Sequence, residues 1–283
     1  MAKSLFNRKS ATGEEMSFID HLEALRWHIM RALLAVLLGA IVVFVYMDFF
    51  FDKVIMGPTR SNFITYRVLC AASHKLGLGN SMCLDDIKID FISTEMSSQF
   101  MMSFTIAFVG GLVIAFPYVF WEFWRFVKPA LTKKELKRTR GVIFWVSLLF
   151  FSGISFGYFL IAPYTVNFFA AYTLSPMIKN TFTFNDYLDN IISLVLGTGI
   201  VFQLPLVVFF LAKVGLLTAD FLRQSRKFAV VIILVIAAVI TPPDVVSQLI
   251  VTIPLWLLFE ISISIAARVN KEQEKDQVPS EWS

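Results

Sequence analysis

Six stretches of this chain run for fifteen residues or more without an Asp, Glu, Lys or Arg. They are Ala32–Met47, Met96–Trp121, Gly141–Ile178, Asn190–Ala212, Phe228–Pro243 and Val245–Phe259. A helix that crosses the ~30 Å hydrocarbon core of a bilayer needs about 20 mostly apolar residues, so these stretches read as membrane spans. Composition agrees: 57% of the residues are apolar and 16% charged, against roughly 45–50% and about 25% in soluble domains. With 15% aromatics the chain is too hydrophobic to be disordered. Two cysteines and three histidines exclude a disulfide scaffold and leave little for a metal centre. A net charge of +4, diluted in so much apolar sequence, does not mark a nucleic-acid binder. The expected fold is an all-α integral membrane protein with six transmembrane helices.

The last two stretches are parted by Thr241-Pro242-Pro243-Asp244. Successive prolines remove two backbone donors and force the preceding residues extended, so a hairpin of two short helices is expected there. Sixteen residues at 1.5 Å rise reach roughly 24 Å, short of the core. Short fifth and sixth helices must therefore thin the bilayer or lean on neighbours. Alternate segments, 1–31, 123–140, 213–227 and 268–283, hold nineteen Lys and Arg, and the segments between hold six. That imbalance places both termini in the cytoplasm. The first apolar run begins too late and runs too long for a secretory signal, so the N-terminus is expected to stay with the mature chain. The organisation expected is a flexible cytoplasmic tail over 1–16, one six-span domain over 17–268 and a polar cytoplasmic tail over 269–283.

Three places can carry chemistry. Ser17 and Asp20 have the spacing of a helix start, and Phe18, Leu22, Leu25 and Ile29 then share one face, as in an amphipathic helix at the membrane surface. His21, Glu23, Arg26 and His28 cover the rest of it. Between the second and third stretches, Thr132 and Glu135 have capping-box spacing, and Glu135 is the single carboxylate among seven cations over 123–140. It can serve as a cap, or as a carboxylate awaiting a cation delivered from outside. Within the spans the polar candidates are Gln203, Gln248 and Glu260. Gln203 precedes Pro205 by two residues and can satisfy the carbonyl that the proline frees one turn earlier. No His-Glu-x-x-His, Gly-x-Ser-x-Gly or Gly-rich nucleotide loop is present, so no enzyme, cofactor or metal is expected.

Four strings, in order and at matching topological places, together resemble one family. They are His21-Leu22-Glu23-Ala24-Leu25-Arg26, Phe126-Val127-Lys128-Pro129-Ala130-Leu131 with Glu135, Phe202-Gln203-Leu204-Pro205, and Thr241-Pro242-Pro243-Asp244-Val245-Val246-Ser247-Gln248. This pattern, covering about Ser17 to Arg268, resembles TatC, the six-span receptor subunit of the twin-arginine protein translocase. The resemblance implies a receptor in the inner membrane of a bacterium that binds twin-arginine signal peptides of folded precursors at the cytoplasmic face. The matching site positions are Leu22, Leu25 and Arg26, then Phe126, Pro129, Leu131 and Glu135. Single-span Tat subunits are the implied partners, with Gln203, Asp244 and Gln248 as intramembrane polar groups available to them. Homo-oligomers within the complex and transport driven by the proton-motive force are implied as well.

Two positions depart from the family. Its usual His-Leu-x-Glu-Leu-Arg has Ala24 here at the Glu position, with Glu23 one residue earlier. Consecutive helical residues point about 100° apart, so Glu23 assists only imperfectly and Glu135 is left as the principal acid. Gln203 stands where the family often has Glu; an amide cannot titrate, though it can hydrogen-bond between helices. Guanidinium–carboxylate pairing is bidentate and planar, which is why lysine is a poor substitute for arginine at such a site. The alternative class, a small-solute transporter or channel, requires ionisable groups deep in the bilayer and paired broken helices, for which the sequence offers only Gln203 and no clear repeat.

Cys70 and Cys83 are the chain's two cysteines, and both fall in the long segment assigned to the periplasm, where a disulfide is permitted. A bridge closing that loop contributes about 3 kcal/mol by a chain-entropy estimate. Thiol labelling of non-reduced protein should find neither cysteine reactive. Two reactive thiols would rule the bridge out, and labelling from the cytoplasmic side alone would overturn the orientation.

Overall fold

A computed structural model describes residues 18–60, 62–75, 90–128, 141–175, 177, 180–241 and 245–277. The chain runs back and forth between two ends of a helical bundle, a proximal end where α1 (Phe18–Val45) begins and a distal end where it finishes. At the distal end come a helical turn at Met47–Phe49, a π-turn at Phe50–Ile55 and α2 (Ile64–Lys75). The chain returns through α3 (Ser98–Val127). Next, α4 (Val142–Phe156), a π-turn at Gly157–Ile161 and α5 (Ala162–Ala171) form one ascending rod. Helices α6 (Phe184–Val201) and α7 (Leu204–Lys213) descend, and α8 (Ala219–Gln224) follows at the proximal end. The last pair is α9 (Arg226–Ile240) and α10 (Val245–Gln277). Two two-residue strands, β1 (Phe91–Ile92) and β2 (Phe182–Thr183), pair in parallel at the distal end.

Local chemistry marks the element boundaries. Thr183 and Thr218 cap α6 and α8, their hydroxyls accepting from the backbone N–H of Asp186 and Phe221. Helix α7 ends in a Schellman motif: Leu216 N–H reaches Leu211 O at 2.9 Å, Gly215 N–H reaches Ala212 O at 3.0 Å, and Gly215 takes φ +81°. Pro205 sits in the first turn of α7, which separates α6 from α7 without loss of a helical donor.

Among the described residues, five segments are long and apolar enough to cross a membrane: Glu23–Val45, Ser98–Val127, Val142–Ala171, Phe184–Lys213 and Ser247–Lys271. The expected fifth crossing is not among them, because α9 has only 15 residues, about 22 Å of helix. It stops at Ile240, and Thr241 is extended, as prolines immediately downstream require. The expectation of a short sixth helix is wrong. Helix α10 runs for 33 residues because Glu260, which ends the charge-free run, is paired with Arg226 at 2.8 Å. Beyond it, the Ser262 and Ser264 hydroxyls donate to carbonyls one turn back. Ile263, Ala266 and Val269 then pack on Val208, Ala212, Ala219 and Leu222 of α7 and α8.

Small residues set the closest helix crossings. A Cβ built at Gly39 of α1 would stand 2.9 Å from Gly111 O of α3, and one at Gly111 would stand 2.8 Å from Val36 O. Backbone meets backbone there, with no room for a side chain. Gly153 and Gly199 bring α4 and α6 together in the same way, and Thr198 Oγ1 donates across the crossing to Gly153 O at 3.0 Å. Large apolar side chains such as Leu33, Leu37, Leu38 and Ile41 face outward from α1, an arrangement that suits lipid and would be costly in water.

Tyrosines pin the distal segment to the bundle. Tyr66 of α2 donates to Pro58 O at 2.8 Å and to Pro163 O at 3.1 Å. Burial pushes its phenol up to about 12, so it remains a donor throughout the physiological range. Tyr158 and Tyr187 donate to Val54 O at 2.7 Å and Ile55 O at 2.6 Å.

Replacing Gly111 by Val forces two backbones apart and should lower stability by at least about 1–3 kcal/mol, the usual cost of overpacking. The loss is read as a lower melting temperature of the detergent-purified protein. Gly197→Ala, whose added Cβ meets only Ile240 at 3.6 Å, should be neutral or slightly stabilising. Equal melting temperatures for Gly111→Val and wild type would contradict the close crossing.

Candidate functional site at the proximal end of helices α1 and α3

The α1–α3 crossing carries a polar cluster toward its proximal end. Glu122 of α3 is 1% exposed, the one buried charged side chain among the described residues. His28 Nδ1 of α1 lies 2.5 Å from its Oε2. Tyr118 donates its hydroxyl to Oε1 at 3.1 Å, and Arg125 Nη1 approaches the same oxygen at 3.5 Å. Tyr118, Glu122 and Arg125 lie four and three residues apart, which puts them on one helical face. Arg125 also lies over the Trp121 ring, 5.1 Å from its centroid, and its side chain is 44% exposed. The carboxylate is thus desolvated but well supplied with donors, the condition under which a buried charge is tolerated.

Of the sequence-predicted site residues, Phe126 lies directly beside this cluster. The Phe126 ring, half-buried at the end of α3, stands edge-on to His28 with centroids 6.3 Å apart. Leu25 is half-buried, and Glu23 and Arg26 are exposed on α1, with the Arg26 guanidinium over the Trp27 ring at 5.6 Å. Leu22 belongs to α1, and its side chain lies outside the described residues, as do Pro129, Leu131 and Glu135. A sequence reading that stops α3's apolar run at Trp121 overlooks Glu122 and assigns His28 no role. The signal was there in the Tyr118, Glu122, Arg125 spacing, which gathers a carboxylate and its donors on one face of an otherwise apolar helix.

Deeper polar groups tie helices together. Gln203 does not satisfy the carbonyl freed by Pro205; its Nε2 donates instead to Val146 O of α4 at 3.3 Å. The bend between α6 and α7 aims the amide across the bundle, and its Oε1 is buried without a partner. Gln248 Nε2 donates to Leu234 O at 3.2 Å, bonding α10 to α9. Asp244 lies outside the described residues. Cys70 of α2 is disulfide-bonded, and Cys83 lies outside the described residues. No group of three or more metal-ligating side chains occurs among the described residues. An apolar cavity of about 220 Å³, lined by Phe91, Thr165, Phe169, Tyr187 and others, sits at the distal end, remote from Glu122.

A helical membrane bundle with a polar cluster joining its first two spans defines a class, and comparison with known proteins narrows it. The family described as TatC, Sec-independent protein translocase protein, matches residues 20–254. This chain belongs to the TatC family, whose members are translocase components rather than enzymes. It is 36% identical over 264 residues to the Sec-independent protein translocase protein TatC of Blattabacterium from Periplaneta americana, covering 92% of this chain and 98% of the relative. It is 34% identical over 261 residues to TatCy of Bacillus subtilis, covering 92% of each. A crystal structure of the twin-arginine translocase receptor TatC superposes with a TM-score of 0.62 at 27% identity, covering 88% of this chain and 99% of the other. The same receptor in the detergent DDM gives a TM-score of 0.67 over 87% and 99%.

Proposed function

We propose that this protein is the receptor of a twin-arginine translocase in a bacterial inner membrane, with the proximal end facing the cytoplasm. Its site for the twin arginines is built from Leu22, Glu23, Leu25 and Arg26 on α1 and from Phe126, Pro129, Leu131 and Glu135 at the end of α3 and beyond. The observation that carries this reading is the His28–Glu122 contact at 2.5 Å. It draws the start of α1 against the end of α3, residues far apart in sequence, and sets Phe126 beside α1. An apolar and aromatic rim around carboxylates is what a pair of guanidinium groups needs in order to be held out of water. The excess of Lys and Arg in the proximal segments supports the orientation, and α9 completes a sixth crossing by leaning on α10.

Single-span partner subunits are the further ligands in this reading, docking on the outward apolar faces near Gln203, Asp244 and Gln248, with several copies of this chain in one complex. The solute-transporter alternative has less support. The amides of Gln203 and Gln248 bond to neighbouring helices, and Glu122 lies near the end of its span rather than at mid-depth.

Full-length protein in detergent or membranes should capture a twin-arginine signal peptide and discriminate against its twin-lysine version. Glu135→Gln should weaken capture by about one to two decades, the loss of one charge-assisted hydrogen bond. If Glu135 is only a helix cap, Glu135→Ala costs about 1 kcal/mol of stability and leaves capture unchanged. Equal affinity of wild type and Glu135→Gln for the precursor would remove Glu135 from the site.

A further inference from the structure

Ala24 leaves a gap where the family usually has a carboxylate, and the structure contains a carboxylate beside that gap. Residues 24 and 28 are one turn apart on α1 and share a face; both are half-buried, while Glu23 is exposed. Helical side chains lean toward the N-terminus, so the His28 ring lies over the turn that contains Ala24. Glu122 Oε2 is 2.5 Å from that ring. A Glu at position 24 and the Glu122 carboxylate would thus serve the same small volume, one from α1 and the other from α3.

Glu122 also has capacity to spare. A carboxylate offers about four lone-pair sites. His28 holds one through Oε2, and Tyr118 and Arg125 approach Oε1. The Arg125 contact is the loosest of the three at 3.5 Å, and the guanidinium is partly in solvent over Trp121. Arg31 of α1 also acts electrostatically on the same carboxylate. Arg125 is thus a resident guanidinium on an acid whose other donors are His28 of α1 and Tyr118 one turn earlier on α3.

We propose that Glu122 is the second acidic acceptor of the twin-arginine site in this chain, standing in for the carboxylate absent at Ala24, and that an incoming arginine displaces Arg125 from it. The proposal rests on the receptor reading above. It makes His28 a positioning residue that holds the carboxylate toward α1. The acceptor comes from α3 rather than α1, so a compensating acid at position 24 should replace it.

The test measures affinity of the full-length protein for synthetic twin-arginine and twin-lysine signal peptides. Glu122→Gln should weaken twin-arginine binding tenfold to a hundredfold and reduce the arginine-over-lysine preference. Adding Ala24→Glu to Glu122→Gln should restore most of both. Arg125→Gln, a change at a partly exposed side chain that leaves His28 and Tyr118 on the carboxylate, should tighten twin-arginine binding several-fold by removing the competitor. A carboxylate that merely clamps α1 to α3 would behave differently. Its loss would lower the affinity for both peptides alike, Ala24→Glu would not rescue it, and Arg125→Gln would bring no gain; that pattern overturns the proposal. Should Glu122→Gln fail to fold, Arg125→Gln decides alone: unchanged or weaker binding refutes displacement. Wild-type protein that binds both peptides equally would overturn the receptor reading itself. Wild type that prefers arginine, with Glu122→Gln retaining the full preference, overturns only the role of Glu122.

Discussion

The contact on which the proximal end depends is the crossing of α1 and α3. In hydrocarbon the hydrophobic effect gives helices no reason to prefer each other over lipid, so close van der Waals fit and interhelical polar contacts must supply it. Both are present. Gly39 and Gly111 let the two backbones touch, and nearer the proximal end His28 reaches Glu122. The glycines set how near the helices come, and the His28–Glu122 contact fixes their register. The apolar cluster of Val43, Ile106, Ala107 and Leu188 completes the seam toward the distal end. Without this crossing the start of α1 and the end of α3 would have no shared surface on which to build a binding site.

The remaining helices are joined by a similar combination. At the α4–α6 crossing, glycines admit close backbones and the Thr198 hydroxyl bonds across. At the distal end, three tyrosine hydroxyls bond to backbone carbonyls of the irregular segment between α1 and α2 or of α5. Those carbonyls lie at the end of the π-turn, at Pro58 and at Pro163 in the first turn of α5, so the hydroxyls tie the irregular segment to the helices beside it. Such bonds hold irregular backbone at the bundle's edge.

The last helix pair shows how packing overrides a local signal. Charge alone ends the apolar run at Glu260, yet the helix continues for another seventeen residues to Gln277. The carboxylate is matched by Arg226 from the start of α9, and the serines that follow bond back to their own helix. The proximal half of α10 therefore packs on α7 and α8 while its distal half packs on the short α9. A 15-residue helix is tolerable because its long neighbour covers one side of it.

The sequence by itself determined the class, most of the spans and the family. Charge-free runs of sufficient length admit few alternatives in a bilayer, and the motif strings around Leu22, Phe126 and Gln248 sit at fixed places along those runs. Local turn chemistry was legible too, as with Pro205 at the start of α7 and the prolines after Thr241. Which polar groups meet was decided by tertiary structure alone. Gln203 looked as though it would serve its own helix and instead serves Val146, because the α6–α7 bend points the amide outward from that helix. Glu122 and His28 are separated by 94 positions, and nothing in either one's neighbourhood names the other. Their pairing is reached through a crossing at which Gly39 and Gly111 let α1 and α3 close.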